Sequence, residues 1–217
     1  AHDWPAEPWP FKRTNLVIHV LNSLVLYAVL LRLGALAGLL PAASRHAAAL
    51  GAACWAVNPL WASTVLYVVQ RHALLATLFV LLGIWTWLAA EQRFASGRRR
   101  SGWALALISV VGFGTLAGLS KANGFLLPLL LLVLHLCFAA PAARSTLRRP
   151  EVLALLLVPS LIILGGLLVQ GLADPPEERP WTIGERLLTQ PRVISAYLGQ
   201  LFFPGVYSGG VFADDFA

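Results

Sequence analysis

The chain has 217 residues, of which 58% are hydrophobic and only 12% charged, with a formal net charge of +6 at pH 7. An ordinary soluble domain carries roughly 25% charged residues, so this composition, with a mean hydropathy of +0.73, cannot supply a polar skin. It excludes a soluble globular enzyme, a disordered chain and a disulfide scaffold, and leaves an all-α, polytopic transmembrane helix bundle. The chain starts at Ala1, contains no Met and stops just after Asp214-Asp215-Phe216. On those grounds it reads as an internal or processed piece of a longer protein.

In chain order, residues 1–14 are expected to form an outer-face loop, 15–172 the transmembrane helical bundle, and 173–217 an outer-face segment. A bilayer's hydrocarbon core needs about 20 apolar residues per helix. Six runs qualify: Asn15–Leu33, Ala42–Asn58 (or on to Val69), Ala73–Ala90, Trp103–Leu119, Gly124–Ala140 and Val152–Leu172. They are continuous and rich in Leu and Ala rather than alternating, which argues against strands. In lipid, a helix satisfies its own backbone hydrogen bonds. Cys54 and Cys137 lie inside these runs and are expected to be buried as small hydrophobes. Trp residues near the span ends fit interfacial anchoring.

The loops then fall on alternate sides. One side collects Arg32, Arg45, Arg93, Arg98, Arg99, Arg100, Arg144, Arg148 and Arg149 against Glu91 and Glu151 only. The other has Lys12, Arg13, Arg71, Lys121, Arg179, Arg186 and Arg192 against Asp3, Glu7, Asp174, Glu177, Glu178, Glu185, Asp214 and Asp215. Short loops rich in Lys and Arg stay cytoplasmic. Arg98-Arg99-Arg100 therefore orients the chain, as a multi-pass protein of the cytoplasmic membrane with both ends extracytoplasmic. The excess charge is spread over three short loops without interleaved stacking aromatics, so no nucleic-acid partner is expected.

The unusual features all fall on the outer side. Asn58-Pro59 interrupts the second run, because proline removes a donor and biases its predecessor away from helix. Leu60–Val69 is then either a short helix feeding Arg71 and His72 or the far half of one kinked helix. Lys121 sits in a turn, Ser120-Lys121-Ala122-Asn123-Gly124. Arg71 and Lys121 both oppose the topological charge bias, which suits either snorkelling cations or cations that hold a phosphate. Thr182-Ile183-Gly184-Glu185 has capping-box spacing and starts an amphipathic helix over about 182–203. Its polar stripe is Glu185, Thr189, Arg192, Ala196 and Gln200, and Pro191 is a point where it can divide. It reads either as lying in the interface plane or as packed under a soluble domain. His19 and His135 fall within spans, as functional groups or as histidines bonded to a neighbouring carbonyl. Gly114 and Gly118 have the spacing of a close helix contact. No His/Cys cluster has metal-ligand spacing, no glycine loop for nucleotides is present, and no internal repeat relates the halves.

Three ordered patterns carry a resemblance. The first is Pro10-Phe11 followed by Thr14-Asn15-Leu16-Val17-Ile18-His19-Val20-Leu21-Asn22-Ser23-Leu24. The second is Asn58-Pro59-Leu60, Val65, Arg71, Leu74-Leu75 and Leu78-Phe79, then Leu119-Ser120-Lys121 and Leu127-Pro128-Leu129. The third runs from Arg186-Leu187-Leu188-Thr189-Gln190-Pro191-Arg192-Val193-Ile194 through Tyr197-Leu198 and Leu201-Phe202-Phe203-Pro204 to Asp215-Phe216. Together they resemble bacterial relatives of the transmembrane-and-tetratricopeptide O-mannosyltransferases, within the C-type superfamily of lipid-donor glycosyltransferases.

That resemblance implies an enzyme that moves a sugar from a polyprenyl-phosphate donor to a hydroxyl on a protein or glycan acceptor, outside the cytoplasm. It implies Arg71, Lys121 and Arg192 as the cations that hold the donor phosphate, and Asp214 and Asp215 as outer-face acids. It leaves a divalent metal open. The catalytic carboxylate of the resembled family stands in a first outer loop, which would lie upstream of residue 1. This chain departs from the pattern at two positions, with Asn58 where the family has His and Ser63 where it has Glu. A non-catalytic protein that binds or transports a lipid-linked sugar, or a membrane anchor for a repeat domain, is the alternative.

Overall fold

Leu- and Ala-rich runs, with Pro and Gly concentrated at the breaks between them, fold into a bundle of helices. This is seen in a computed structural model that describes residues 9–138, 150–173 and 183–202. Helix is the only regular structure among the described residues. Helix α1 spans Trp9–Leu36, so residues 9–14 are helical and not loop. Pro10 is tolerated in a first turn, where its missing N–H has no partner to lose, and Thr14 Oγ1 donates to its carbonyl at 3.0 Å. Residues 1–8 lie outside the described residues. Helix α2 spans Pro41–Ala56, and the short helix α3 spans Ala62–Leu66. The long helix α4 spans Arg71–Ala95.

The next rod is composite. Helix α5 (Arg99–Leu107) runs into a π-helical segment, Ile108–Phe113, and then into α6 (Gly114–Ser120). Lys121 is extended, and a 3₁₀ segment, Ala122–Leu126, leads into α7 (Leu127–Phe138). Helix α8 spans Pro150–Ala173 and α9 spans Ile183–Phe202. Pro191 does not divide α9, which runs through it as one helix. An internal proline removes one backbone bond and can kink a helix without ending it.

Among the described residues, four helical stretches are long and apolar enough to cross a membrane: Trp9–Leu36, Val68–Ala95, Arg99–Ser120 and Pro150–Val169. The pair Pro41–Ala56 and Pro59–Leu66, bent by 45° at its break, makes a fifth if counted as one span. The apolar helix Ala122–Cys137 is shorter. Much of this surface points outward. Leu16, Val17, Val20, Leu21 and Leu24 on α1 are exposed, as are Leu161, Ile162, Leu164, Leu167 and Leu168 on α8. A contiguous apolar exterior of this kind suits lipid and not water. The same logic corrects the cysteines. Cys54 and Cys137 are free and exposed, because in lipid an apolar side chain gains nothing by facing inward.

The core lies between α4, the α5–α6 rod, α7 and α8, around Trp87, Phe94, Val110, Leu127, Leu131 and Leu156. Inside it is a polar cluster. Trp87 Nε1 donates to Glu91 Oε1 at 3.0 Å, and the same oxygen lies 2.5 Å from His135 Nδ1. Glu91 is therefore a helix residue tied to α7 and not a free loop acid. Trp87, at 1% exposure, is a core residue and not an interfacial anchor. His135 bonds this carboxylate where a carbonyl was one expectation. Arg144, Arg148 and Arg149 lie outside the described residues.

Close packing at the α6–α7 turn depends on Gly118 and Gly124. A methyl group on Gly124 would collide with the Ala117 carbonyl, and one on Gly118 with the Phe125 ring. The Gly114/Gly118 spacing thus serves a contact within one hairpin. Gly124→Ala is expected to destabilise the protein by about 1–3 kcal/mol through overpacking, read as a lowered thermal midpoint in detergent. Gly112→Ala, where a methyl group meets only Ile108 at 4.0 Å, should leave the midpoint unchanged.

Candidate functional site

The break after α2 determines the local geometry. Asn58 turns out of the helix and caps the 3₁₀ turn Pro59–Trp61, its Oδ1 accepting from Leu60 N at 2.9 Å. Leu60 N is thereby lost to the Ala56 carbonyl four residues back. Tyr67 is extended, with φ −82° and ψ 122°, and interrupts the ladder again before α4. Several carbonyls thus lose their helical partners in the same stretch, and a buried carbonyl must be met by another group. The short-helix alternative for Leu60–Val69 is the one observed.

Helix α1 supplies those groups from a single face. Asn15, His19 and Asn22 recur at helical spacing and are 0%, 6% and 0% exposed. Asn15 Nδ2 donates to the Val65 and Tyr67 carbonyls at 3.2 and 2.9 Å. His19 Nε2 lies 2.9 Å from the Ala56 carbonyl and so carries the proton in that bond. Asn22 Nδ2 donates to the Leu74 carbonyl at 3.0 Å. At the base of the break, His72 Nδ1 donates to the Val69 carbonyl at 2.6 Å. The expectation of a carbonyl-bonded histidine holds for His19.

Arg71 opens α4 and is fixed by the same helix. Its Nε donates to Asn15 Oδ1 at 3.1 Å, one Nη donates to the Phe11 carbonyl at 3.4 Å, and the guanidinium lies 5.8 Å from the Phe11 ring centroid. That leaves donors of its planar fork uncommitted. No carboxylate pairs with Arg71 among the described residues. Lys12 and Arg13 follow Phe11 on α1 and add positive charge at this end.

Lys121 stands at the same height. Ser109 Oγ donates to the Gly83 carbonyl at 2.7 Å and sets the register of two antiparallel rods. Arg71 and Lys121 are each twelve residues from that bond, one on each rod, or about 18 Å at 1.5 Å per residue. The Lys121 side chain is half-buried and makes no hydrogen bond among the described residues. Arg192 is exposed on α9. That helix is tied to the break by Asn58 Nδ2, which donates to the Leu201 carbonyl at 2.9 Å. Arg71 and Lys121 stand at one end of the bundle, and Arg192 lies nine residues before Leu201 on the helix tied there; no hydrogen bond joins any two of the three among the described residues. Asp214 and Asp215 lie outside the described residues.

Beside this end is a cleft of about 290 Å³, lined by Leu16, His19, Asn58, Trp61, Ala62 and Val65 among others. It shares Val65 with the Asn15 bond and so adjoins the group that orients Arg71. Sequence reasoning passed over Asn15, Asn22, Trp55 and Trp61. The spacing of Asn15, His19 and Asn22 as one helix face was a readable signal, whereas nothing local to Trp61 announced its neighbours.

Interhelical hydrogen bonds in bilayers average about 0.6 kcal/mol and reach about 1.7. Asn15 makes three, so Asn15→Leu is expected to destabilise the protein by about 2 kcal/mol or more, measured by thermal unfolding in bicelles. Ser23→Ala, which removes only a bond to the His19 carbonyl of its own helix, should be near neutral. Comparison of this chain with family models, with curated proteins and with solved structures found no match.

Proposed function

We propose that this chain is the membrane bundle of a glycosyltransferase that holds a polyprenyl-phosphate sugar at the Arg71 end. One observation carries the reading. Arg71 is oriented by Asn15, lacks an acidic partner among the described residues, and stands where apolar helices end. A positioned guanidinium with free donors at the edge of an apolar bundle suits a lipid phosphate, which it can grip through two parallel bonds. Lys121, at the same height, adds a point charge, and Arg192 adds one from α9.

In the reaction, an acceptor hydroxyl oxygen forms a bond to the anomeric carbon. The bond from that carbon to the lipid phosphate breaks, and its electron pair leaves on the phosphate. The acceptor's proton passes to a carboxylate. Phosphate leaves readily, so the protein's part is chiefly positioning and charge stabilisation. The acceptor is a protein or glycan hydroxyl, and a divalent metal stays open.

Localisation follows from charge. Arg32, Arg45, Arg93 and Arg98–Arg100 gather at the end opposite Arg71, which under the positive-inside bias is cytoplasmic. Both ends of the chain are then extracytoplasmic, in the inner membrane. Six spans fit this reading. Ala122–Phe138 combines five 3₁₀ residues at about 2.0 Å rise with twelve α residues at 1.5 Å, roughly 28 Å in all. That approaches the ~30 Å of a hydrocarbon core. Helix α9, with Leu188, Ile194, Leu198 and Phe202 exposed, lies in the interface plane.

A second reading, binding of a lipid-linked sugar without chemistry, is favoured by one observation. Of the described carboxylates, Glu91, Glu151 and Glu185, none lines the cleft.

In the full-length protein, Arg71→Gln and Lys121→Gln are expected to insert normally and to lose about 10- to 100-fold in transfer from polyprenyl phosphoglucose or phosphomannose, the effect of removing a charge-assisted hydrogen bond. Unchanged transfer in both variants would remove the assignment. A wild-type protein that binds bare polyprenyl phosphate but shows no transfer, and whose binding is lost in the two variants, would favour the second reading.

A further inference from the structure

The cleft between α1 and the broken segment holds two buried polar atoms without a partner, His19 Nδ1 and Trp61 Nε1. Both residues line it. Their chemistry is opposite. His19 Nε2 carries the proton in its bond to the Ala56 carbonyl, so in the neutral ring Nδ1 is a bare acceptor, while an indole N–H only donates. A phosphate or carboxylate could take the Trp61 hydrogen but would set its own lone pairs against His19 Nδ1. An ammonium could bond His19 but not Trp61, and an acyl chain would leave both unmet. A hydroxyl group both donates and accepts, so hydroxyls are the one class of group that can meet either atom.

Behind the lining, Trp55 stacks on His19 at 4.8 Å between ring centroids and lies 5.4 Å from Trp61, which holds both rings beside the cleft. At about 290 Å³, the volume falls at the small end of ligand pockets, roughly 300–1,000 Å³, which suits one ring better than a long chain. We infer that this cleft binds a single sugar ring through its hydroxyls, which meet His19 and Trp61. The site is separate from the phosphate-holding cations and rests on the proposed reading only for the source of the sugar.

The test uses the full-length protein in nanodiscs and three probes: polyprenyl phosphoglucose, bare polyprenyl phosphate and methyl glucoside. Wild type should bind the glucose-bearing lipid about five- to tenfold more tightly than the bare lipid, the yield of about one buried hydrogen bond. Trp61→Phe, which keeps the ring and removes the N–H, should abolish that preference and leave bare-lipid binding intact. Ala62→Leu, at the exposed rim, should do the same by filling the cleft. If methyl glucoside shows the Trp61-dependence and the lipid does not, the ring belongs to an acceptor glycan. If wild type has no preference for any glucose-bearing probe, or if both variants keep it, the inference is overturned. Arg71→Gln separates the two proposals: it should weaken both lipids equally, and failure of that result alone counts against the phosphate site and not against this cleft.

Discussion

The organisation of this bundle depends on the requirement that backbone carbonyls freed inside an apolar environment find donors within the protein. Proline at position 59 and the extended Tyr67 open the second helix and release such carbonyls. Water is scarce at that depth, and irregular backbone survives there only when the protein itself encloses it. Asn15 and His19 supply donors from one face of α1 to the Ala56, Val65 and Tyr67 carbonyls at 2.9 to 3.2 Å, and Asn22 ties the same face to the Leu74 carbonyl within α4. The break is a supported element of the fold. Its bend leaves a cleft, and its last residues deliver Arg71 to the end of α4.

The two ends of the bundle treat charge differently. At the far end, Arg32 donates to the Trp85 carbonyl at 3.1 Å and lies over the Trp85 ring at 4.4 Å, and Glu91 is held by Trp87 and His135. Those groups have protein partners and serve as struts between helices. At the near end, Arg71 is aimed by an amide oxygen, which fixes direction without neutralising charge. Lys121 at the same height has no side-chain bond among the described residues. Arg45, Arg93 and Arg98–Arg100 at the far end also lack a carboxylate partner among the described residues, so what sets Arg71 apart is a charge held in one direction by Asn15.

Much of the architecture was legible because lipid imposes long apolar runs, and length alone then reveals the helices. The discontinuity at Asn58-Pro59 and the turn at Lys121 were legible from the residues themselves, and α9 from its periodicity. The failures share a cause. In water an apolar residue is expected inside, but in lipid Cys54 and Cys137 face outward without penalty, so hydrophobicity did not predict burial. Glu91 was counted with the loop acids because its partner His135 is 44 residues away, a distance no local pattern bridges. The helical start of α1 was missed because Lys12 and Arg13 look like loop residues, although a first turn at a membrane surface accepts them. The polar face of α1 was present in the sequence as a spacing, but its purpose became visible only once the carbonyls opposite were placed.

The central claim is that Asn15 orients Arg71 for an anionic lipid headgroup. The most direct measurement is a double-mutant cycle between Asn15→Leu and Arg71→Gln, read by the affinity of the full-length protein in nanodiscs for bare polyprenyl phosphate. If the asparagine acts through the guanidinium, the double variant binds no more weakly than Arg71→Gln alone. Losses that simply add, or an Asn15→Leu protein that binds as wild type does, would contradict the account.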